Sequence, residues 1–219
     1  MRFTSPVSAL PLFALLLTGC ASVEYKIRES FGQHKRELLV DRVETAKESQ
    51  EEAKEQFVSA LEQFKSLTGF RGGDLEKKYD EVKEQCDRCA ERATDVSERI
   101  AAVEDVARAL FREWEGELKQ YSSRTMRLDS QRKLDANKGS FVRLMEVMRN
   151  AEARMKPVLA TLNDQVLYLK HNLNARAIAT LGGVSAELQR DIDVLVEDME
   201  RAIDDAARFI DEMKEGGGG

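Results

Sequence analysis

The sequence predicts an all-α protein: an elongated, antiparallel, coiled-coil-like helical bundle of three long helices and a shorter fourth. Three observations carry that prediction. Of the prolines Pro6, Pro11 and Pro157, only the last lies beyond residue 19. Four of the 13 glycines form the tail 216–219, and most of the others gather at 69–73 and 182–183, so the chain has few places to turn. Between those places apolar residues recur every 3.5 positions on a chain that is 34% charged and 6% aromatic, which is the composition of long exposed helices. Strands need alternation and frequent turn residues, so an all-β or α/β enzyme is excluded. The 219 residues suffice for a sizeable core.

The first element is an address. Met1-Arg2 gives a short positive start, residues 6–17 are apolar apart from Ser8, and Leu17-Thr18-Gly19-Cys20 closes the run with small residues. A segment of this length is a secretory signal, too short for a permanent transmembrane helix. Its end resembles the bacterial lipobox. That resemblance implies cleavage between Gly19 and Cys20, with Cys20 lipidated by a thioether diacylglycerol and an amide-linked acyl chain. An ordinary secreted protein with a coincidental cysteine is the competing reading; the agreement of charge, run length and box weighs against it. Several acyl chains, at ~0.8 kcal/mol per buried methylene, make a stable anchor. Likeness to sorted lipoproteins adds that Ala21, rather than Asp, after the cysteine implies delivery to the outer membrane. Loss of residues 1–19 removes one charge, Arg2, and leaves a net charge of −7. Such acidity argues against nucleic-acid binding, and no second apolar stretch approaches the ~18 residues a membrane span needs. Residues 20–215 are expected to form one helical-bundle domain, followed by a flexible glycine tail at 216–219.

Helix 1, roughly 24–67, is marked by Leu39, Val43, Ala46, Gln50, Ala53, Phe57, Ala60, Phe64 and Leu67, at alternating steps of four and three. Such a seam faces a partner helix and implies a left-handed supercoil. After the turn Thr68–Asp74, with Asp74 as the N-cap, helix 2 runs roughly 75–121. Its seam is Leu75, Tyr79, Val82, Cys86, Cys89, Ala93, Val96, Ile100, Val103, Ala107, Leu110 and Trp114. Tyr121-Ser122-Ser123 offers a hydroxyl cap before helix 3. Helix 3 is expected to extend to about Leu181 through Phe141, Leu144, Met148, Ala151, Met155, Val158, Leu162, Val166, Leu169 and Leu173. Gly139 costs ~1 kcal/mol there relative to alanine, and Pro157 should kink the rod. Gly182-Gly183 is expected to end helix 3. Helix 4 then reads Leu188, Ile192, Leu195, Met199, Ile203, Ala206, Ile210 and Met213. At about thirty residues, it would cover only part of helix 3. The rod would be four helices thick at one end and three at the other. Residues 124–156 carry nine basic and four acidic side chains, and 197–215 carry three and eight. A fold at the glycine pair would bring 200–215 within reach of Arg149, Arg154 and Lys156, although charge runs are often simply solvated faces.

Two constellations carry chemistry. Cys86 and Cys89 form a C-x-x-C, which suggests a thiol redox or metal-binding pair. Both are seam positions in mid-helix, however, not at the helix N-terminus that lowers a thiol pKa. A zinc site needs about four ligands, and His34 and His171 are the only histidines. Core packing is therefore the simpler reading, with an interchain disulfide as the remaining option. The second constellation is the polar stretch 164–176. Asp164, Tyr168, His171 and Ala175 share one stripe, while Lys170 and Asn174 share another. A polar network that fixes helix register inside the bundle is the weightier explanation. The competing one is a partner surface of Lys170, His171, Asn174 and Arg176 at the end of the rod remote from Cys20. No catalytic triad, phosphate loop or isolated carboxylate pair is present to suggest an enzyme or a cofactor.

His34-Lys35-Arg36-Glu37-Leu38-Leu39-Val40-Asp41-Arg42-Val43-Glu44, followed by Gln50-Glu51-Glu52-Ala53-Lys54-Glu55-Gln56-Phe57, resembles the opening of an uncharacterised proteobacterial helical lipoprotein family, a domain of unknown function with catalogue number 2959. Gly72–Glu76, Ala102–Ala107 and the Asp164–Ile178 segment resemble it too, and the likeness spans essentially the whole chain after Cys20. The resemblance implies no activity, cofactor or catalytic residue. Gly139 stands where the family favours helix formers, which leaves the continuity of helix 3 there open. The function expected is that of an outer-membrane-anchored periplasmic lipoprotein: a non-enzymatic scaffold or spacer. Its partners would be the membrane, through the anchor, and an unidentified envelope protein; self-association is open. Redox or metal chemistry at Cys86 and Cys89 is the alternative, and a lipid or ligand carrier the third option.

Overall fold

The computed structural model describes residues 20–68, 70 and 74–215, with side chains from residue 34 onward except at 175–177 and 179. The expected signal segment and glycine tail lie outside the described residues. Four helices make up the chain: α1 (Cys20–Thr68), α2 (Leu75–Leu118), α3 (Arg124–His171) and α4 (Ala175–Glu215). Each connection is short, so sequential helices pack antiparallel. The ring then closes, because α4 lies against α1 as well as α3. Among the described residues the diagonal pairs, α1 with α3 and α2 with α4, make no close backbone approach. Lengths of 49, 44, 48 and 41 residues correspond to rods of roughly 60–75 Å.

The seam dictates the core. In α1 all nine seam positions from Leu39 to Leu67 are buried. In α2, Val82, Cys86, Cys89, Val96, Ile100, Val103 and Ala107 do the same, and Leu75, Ala93 and Trp114 pack against them part-buried. A seam of 3.5-residue period is narrow, and the bundle needs a wider stripe because each helix has two neighbours. Leu61, Phe111, Met145, Ala202 and Phe209 supply that second row. Phe141 bridges helices there, 5.5 Å from Phe111 and 6.1 Å from Phe209 between ring centroids.

Local chemistry sets the turns. Asp74 caps α2, its carboxylate accepting from the Lys77 amide at 3.2 Å, and Ser123 caps α3, accepting from the Met126 amide at 3.4 Å. Helix α3 passes through both Gly139 and Pro157 without interruption. Pro157 and Ala153 sit on the exposed side, where water can satisfy the carbonyl that the proline ring leaves unpaired.

One expected boundary is wrong. The turn between α3 and α4 is Asn172–Asn174, not Gly182-Gly183, and α4 runs straight through both glycines. Asn172 stops α3: its amide donates to the Leu169 carbonyl at 3.1 Å and its side chain to the Tyr168 carbonyl at 3.0 Å. The Asn174 carbonyl then receives the Ile178 amide at 3.2 Å to start α4. The α3–α4 register moves accordingly. Arg154 pairs with Asp198 rather than with the 200–215 run, and Arg149 pairs with Glu104 of α2 and Glu152 of its own helix. Helix α4 is about a third longer than expected but remains the shortest. Toward Cys20 the other three helices continue past its end: Lys35 pairs with Glu113, Arg36 lies over the Trp114 ring, and the Trp114 indole donates to Ser130 at 2.8 Å.

Candidate functional site

Antiparallel order puts the start of α1, the α2–α3 turn and the end of α4 at one end of the rod. The Thr68–Asp74 and Asn172–Asn174 connections lie at the other, which we call the tip. Lys170 and His171 occupy the last turn of α3, Asn174 lies in the tip turn, and Arg176 falls in the first turn of α4. The structure thus brings all four to one place, although the side chain of Arg176 is outside the described ones. Lys170, His171 and Asn174 are exposed, as is Asp164. A buried network fixing helix register is therefore not what these residues form. Beside them Leu167 is 59% and Tyr168 42% exposed. Sequence reasoning placed Tyr168 on a polar stripe and gave Leu167 no role; an exposed leucine–tyrosine pair next to the cationic Lys170 and other polar side chains is a surface suited to protein contact. Among the described residues of this run only Leu169 is fully buried, pinning the end of α3 to the core.

The polar residue that does enter the core is Gln50. It is 0% exposed, and neither its amide nitrogen nor its oxygen has a hydrogen-bond partner. Asp198 is the other buried polar group of note, held between Arg154 and Arg201. Both stand at interior positions of α1 and α4, so the buried polarity lies in the middle of the bundle, away from the tip.

The thiol pair has different surroundings. Cys86 and Cys89 are both free and buried in the α1–α2 seam. The Cys89 thiol donates to the Gln56 carbonyl across the interface at 3.5 Å. Burial pushes both thiols up to about 12. Thiol–disulfide exchange needs a thiolate at an accessible sulfur, and both conditions are unfavourable here. An interchain disulfide meets the same obstacle. Among the described residues no group of three or more His, Cys, Asp or Glu side chains is placed to hold a metal, and no helix is long and apolar enough to cross a membrane.

A family described as "Protein of unknown function (DUF2959)" matches residues 24–213. No curated protein matches the chain.

Proposed function

From the premise that the chain belongs to the DUF2959 family of proteins of unknown function, we propose that it is a lipoprotein of the bacterial outer membrane, facing the periplasm, whose rod is a non-enzymatic scaffold or spacer for envelope partners. The observation that carries this reading is the position of Cys20. It closes the Leu17–Cys20 box in the sequence and is also the first residue of α1. A helix that starts at the acylated residue passes the direction of the anchor into a rod with no intervening linker. The tip then stands ~70 Å from the acyl chains, presenting Lys170, His171 and Asn174 beside Leu167 and Tyr168, with Arg176 in the adjoining first turn of α4. That exposed, mixed surface is where an envelope protein would be met.

Metabolic labelling with radioactive palmitate tests the anchor. Label is expected on the natural chain and absent from Cys20→Ser; an unlabelled natural chain, or label that survives the substitution, rejects the lipoprotein reading. The tip is tested by alanine at Lys170, His171, Asn174 and Arg176 together. Thermal stability is expected to change little, since the described members are exposed, while in-cell crosslinking from a probe at the tip falls. A variant that melts early and crosslinks normally per folded molecule returns these residues to a structural role.

A further inference from the structure

The end of the rod at which the anchor lies has an unusual surface of its own. In the α2–α3 turn and the first turn of α3, Lys119, Arg124 and Arg127 are all exposed, and none forms an ion pair with a described residue. Between 119 and 128 there is no acidic residue, in a chain of net charge −6. Among the described residues the acidic neighbours are already engaged: Glu113 with Lys35, Glu115 with Lys138, Glu117 in a contact of its own, and Asp129 with Arg132 at 3.2 Å and Lys133 at 3.5 Å. Among these three cations Met126 is 59% and Leu128 50% exposed, although α3 has a buried face available to it. Cations with no ion pair among the described residues, interleaved with exposed apolar side chains at one helix end, have the chemistry of an interfacial membrane contact.

We propose that this turn is a second membrane contact, docking on anionic phospholipid headgroups of the leaflet that holds Cys20. The inference rests on the lipoprotein reading above and adds the posture of the rod to it. Lys35 pairs with Glu113. From that pair α1 continues roughly 22 Å to Cys20, while α2 continues only roughly 8 Å to Leu118. An upright rod would hold the turn roughly 15 Å above the anchor, beyond the ~8 Å Debye length at physiological ionic strength. Docking therefore requires the rod to lean toward its α2–α3 side. Two points of attachment, Cys20 and the turn, fix the direction of that lean, and with it the sector of the periplasm that the tip can reach. Each basic side chain at an anionic surface multiplies occupancy of the contact by about fivefold, so the three together favour the leaning state by roughly a hundredfold.

The chain has a single tryptophan, Trp114, one turn before the end of α2, and it reports the contact directly. The full lipidated chain is reconstituted into vesicles of brominated phosphatidylcholine, with or without phosphatidylglycerol, and quenching of Trp114 fluorescence is read. Quenching is expected to be stronger with phosphatidylglycerol and to weaken as salt is added. It should fall to the zwitterionic level in the variant Lys119→Gln, Arg124→Gln, Arg127→Gln. A second variant, Met126→Ser with Leu128→Ser, should lower quenching in both vesicle types. All five side chains are exposed, so circular dichroism should show both variants folded, and the salt series needs no variant. Equal quenching in the two vesicle types, unaffected by salt, overturns the contact while palmitate labelling of Cys20 leaves the anchor standing. An unlabelled Cys20 overturns both.

Discussion

The two hairpins of this bundle are built to different standards. In the first, α1 and α2, the apolar rhythm is strict and the flanks are stitched across the interface. Gln56 donates to the Gln85 side chain at 2.7 Å, Gln63 to Glu81 at 2.6 Å, and Arg92 reaches Glu52 at 2.6 Å. In the second, α3 and α4 carry the proline Pro157 and the glycines Gly139, Gly182 and Gly183 inside helices, against Gly32 and Gly116 inside the helices of the first. Among the described residues they also expose Met126, Leu128, Val142, Leu167, Tyr168 and Val194, against only Val58 on the first hairpin. The contrast teaches where each kind of selection acts. The first hairpin holds the rod together. The second tolerates faults on its solvent side and displays apolar side chains there, as a surface used for contact would.

The largest effects should come from the buried seam of the first hairpin, set against the apolar side chains that the second displays to solvent. Phe57→Ala and Ile100→Ala each remove a large, fully buried side chain and should cost about 3–5 and 2–5 kcal/mol. Val142→Ser on the second should change stability by less than about 0.5 kcal/mol. Denaturant melts decide it, and comparable losses at Phe57 and Val142 would erase the distinction.

Alkaline pH sharpens the same comparison, because both buried thiols belong to the first hairpin. The unfolded chain ionises its thiols near the ordinary value of 9.0, whereas burial holds Cys86 and Cys89 protonated up to about 12. Between those values the unfolded state sheds protons that the fold retains. The thiol contribution is thus complete below about pH 9 and is lost as pH rises toward 12, at about 1.4 kcal/mol per thiol per pH unit. Melts at about pH 8 and about pH 10 should differ by more in the natural chain than in Cys86→Ala with Cys89→Ala. An equal difference would mean that the pair is not buried in solution.

Gln50 is the exception within the strict hairpin. Its amide gains no hydrogen bond in the core, so Gln50→Leu should stabilise the fold by about 1–3 kcal/mol. A loss of stability would reveal a partner for the amide, most simply a buried water.

The smallest expected effect bears on the second hairpin and on what could be read from the sequence. All of the α1 seam was legible because a single period ran through it uninterrupted. The α3–α4 boundary was not, because Gly182-Gly183 is a louder stop signal than Asn172-Leu173-Asn174. The glycines lose that contest for a physical reason. The seam of α4 runs past them in steps of three and four, with Ile178, Leu181, Leu188 and Ile192 all buried and Ser185 filling the vacant step. Burial along that stripe outweighs the ~1 kcal/mol that each glycine costs. Period, followed backward from Leu188, would have located the turn. At the tip, composition revealed which polar residues were unusual but not that they face water, since exposure depends on where α3 stops. A Cβ at Gly182 or Gly183 meets nothing within 4 Å, so Gly182→Ala and Gly183→Ala should each stabilise by about 0.5–1 kcal/mol. No gain in thermal melts would place a break in α4 after all.

The closed ring of helices has a consequence for the order of folding. Each hairpin can zip up from a short connection, but the face between α1 and α4 joins residues far apart in sequence; Lys65 and Gln189, which meet there, are 124 positions apart. Forming that face bears the largest loop-closure entropy in the molecule. Until α4 docks, the apolar stripe of α1 is covered on one flank only. The helix made first thus waits longest for its last neighbour, and a chain interrupted before α4 would present an open, sticky groove along the buried stripe of α1.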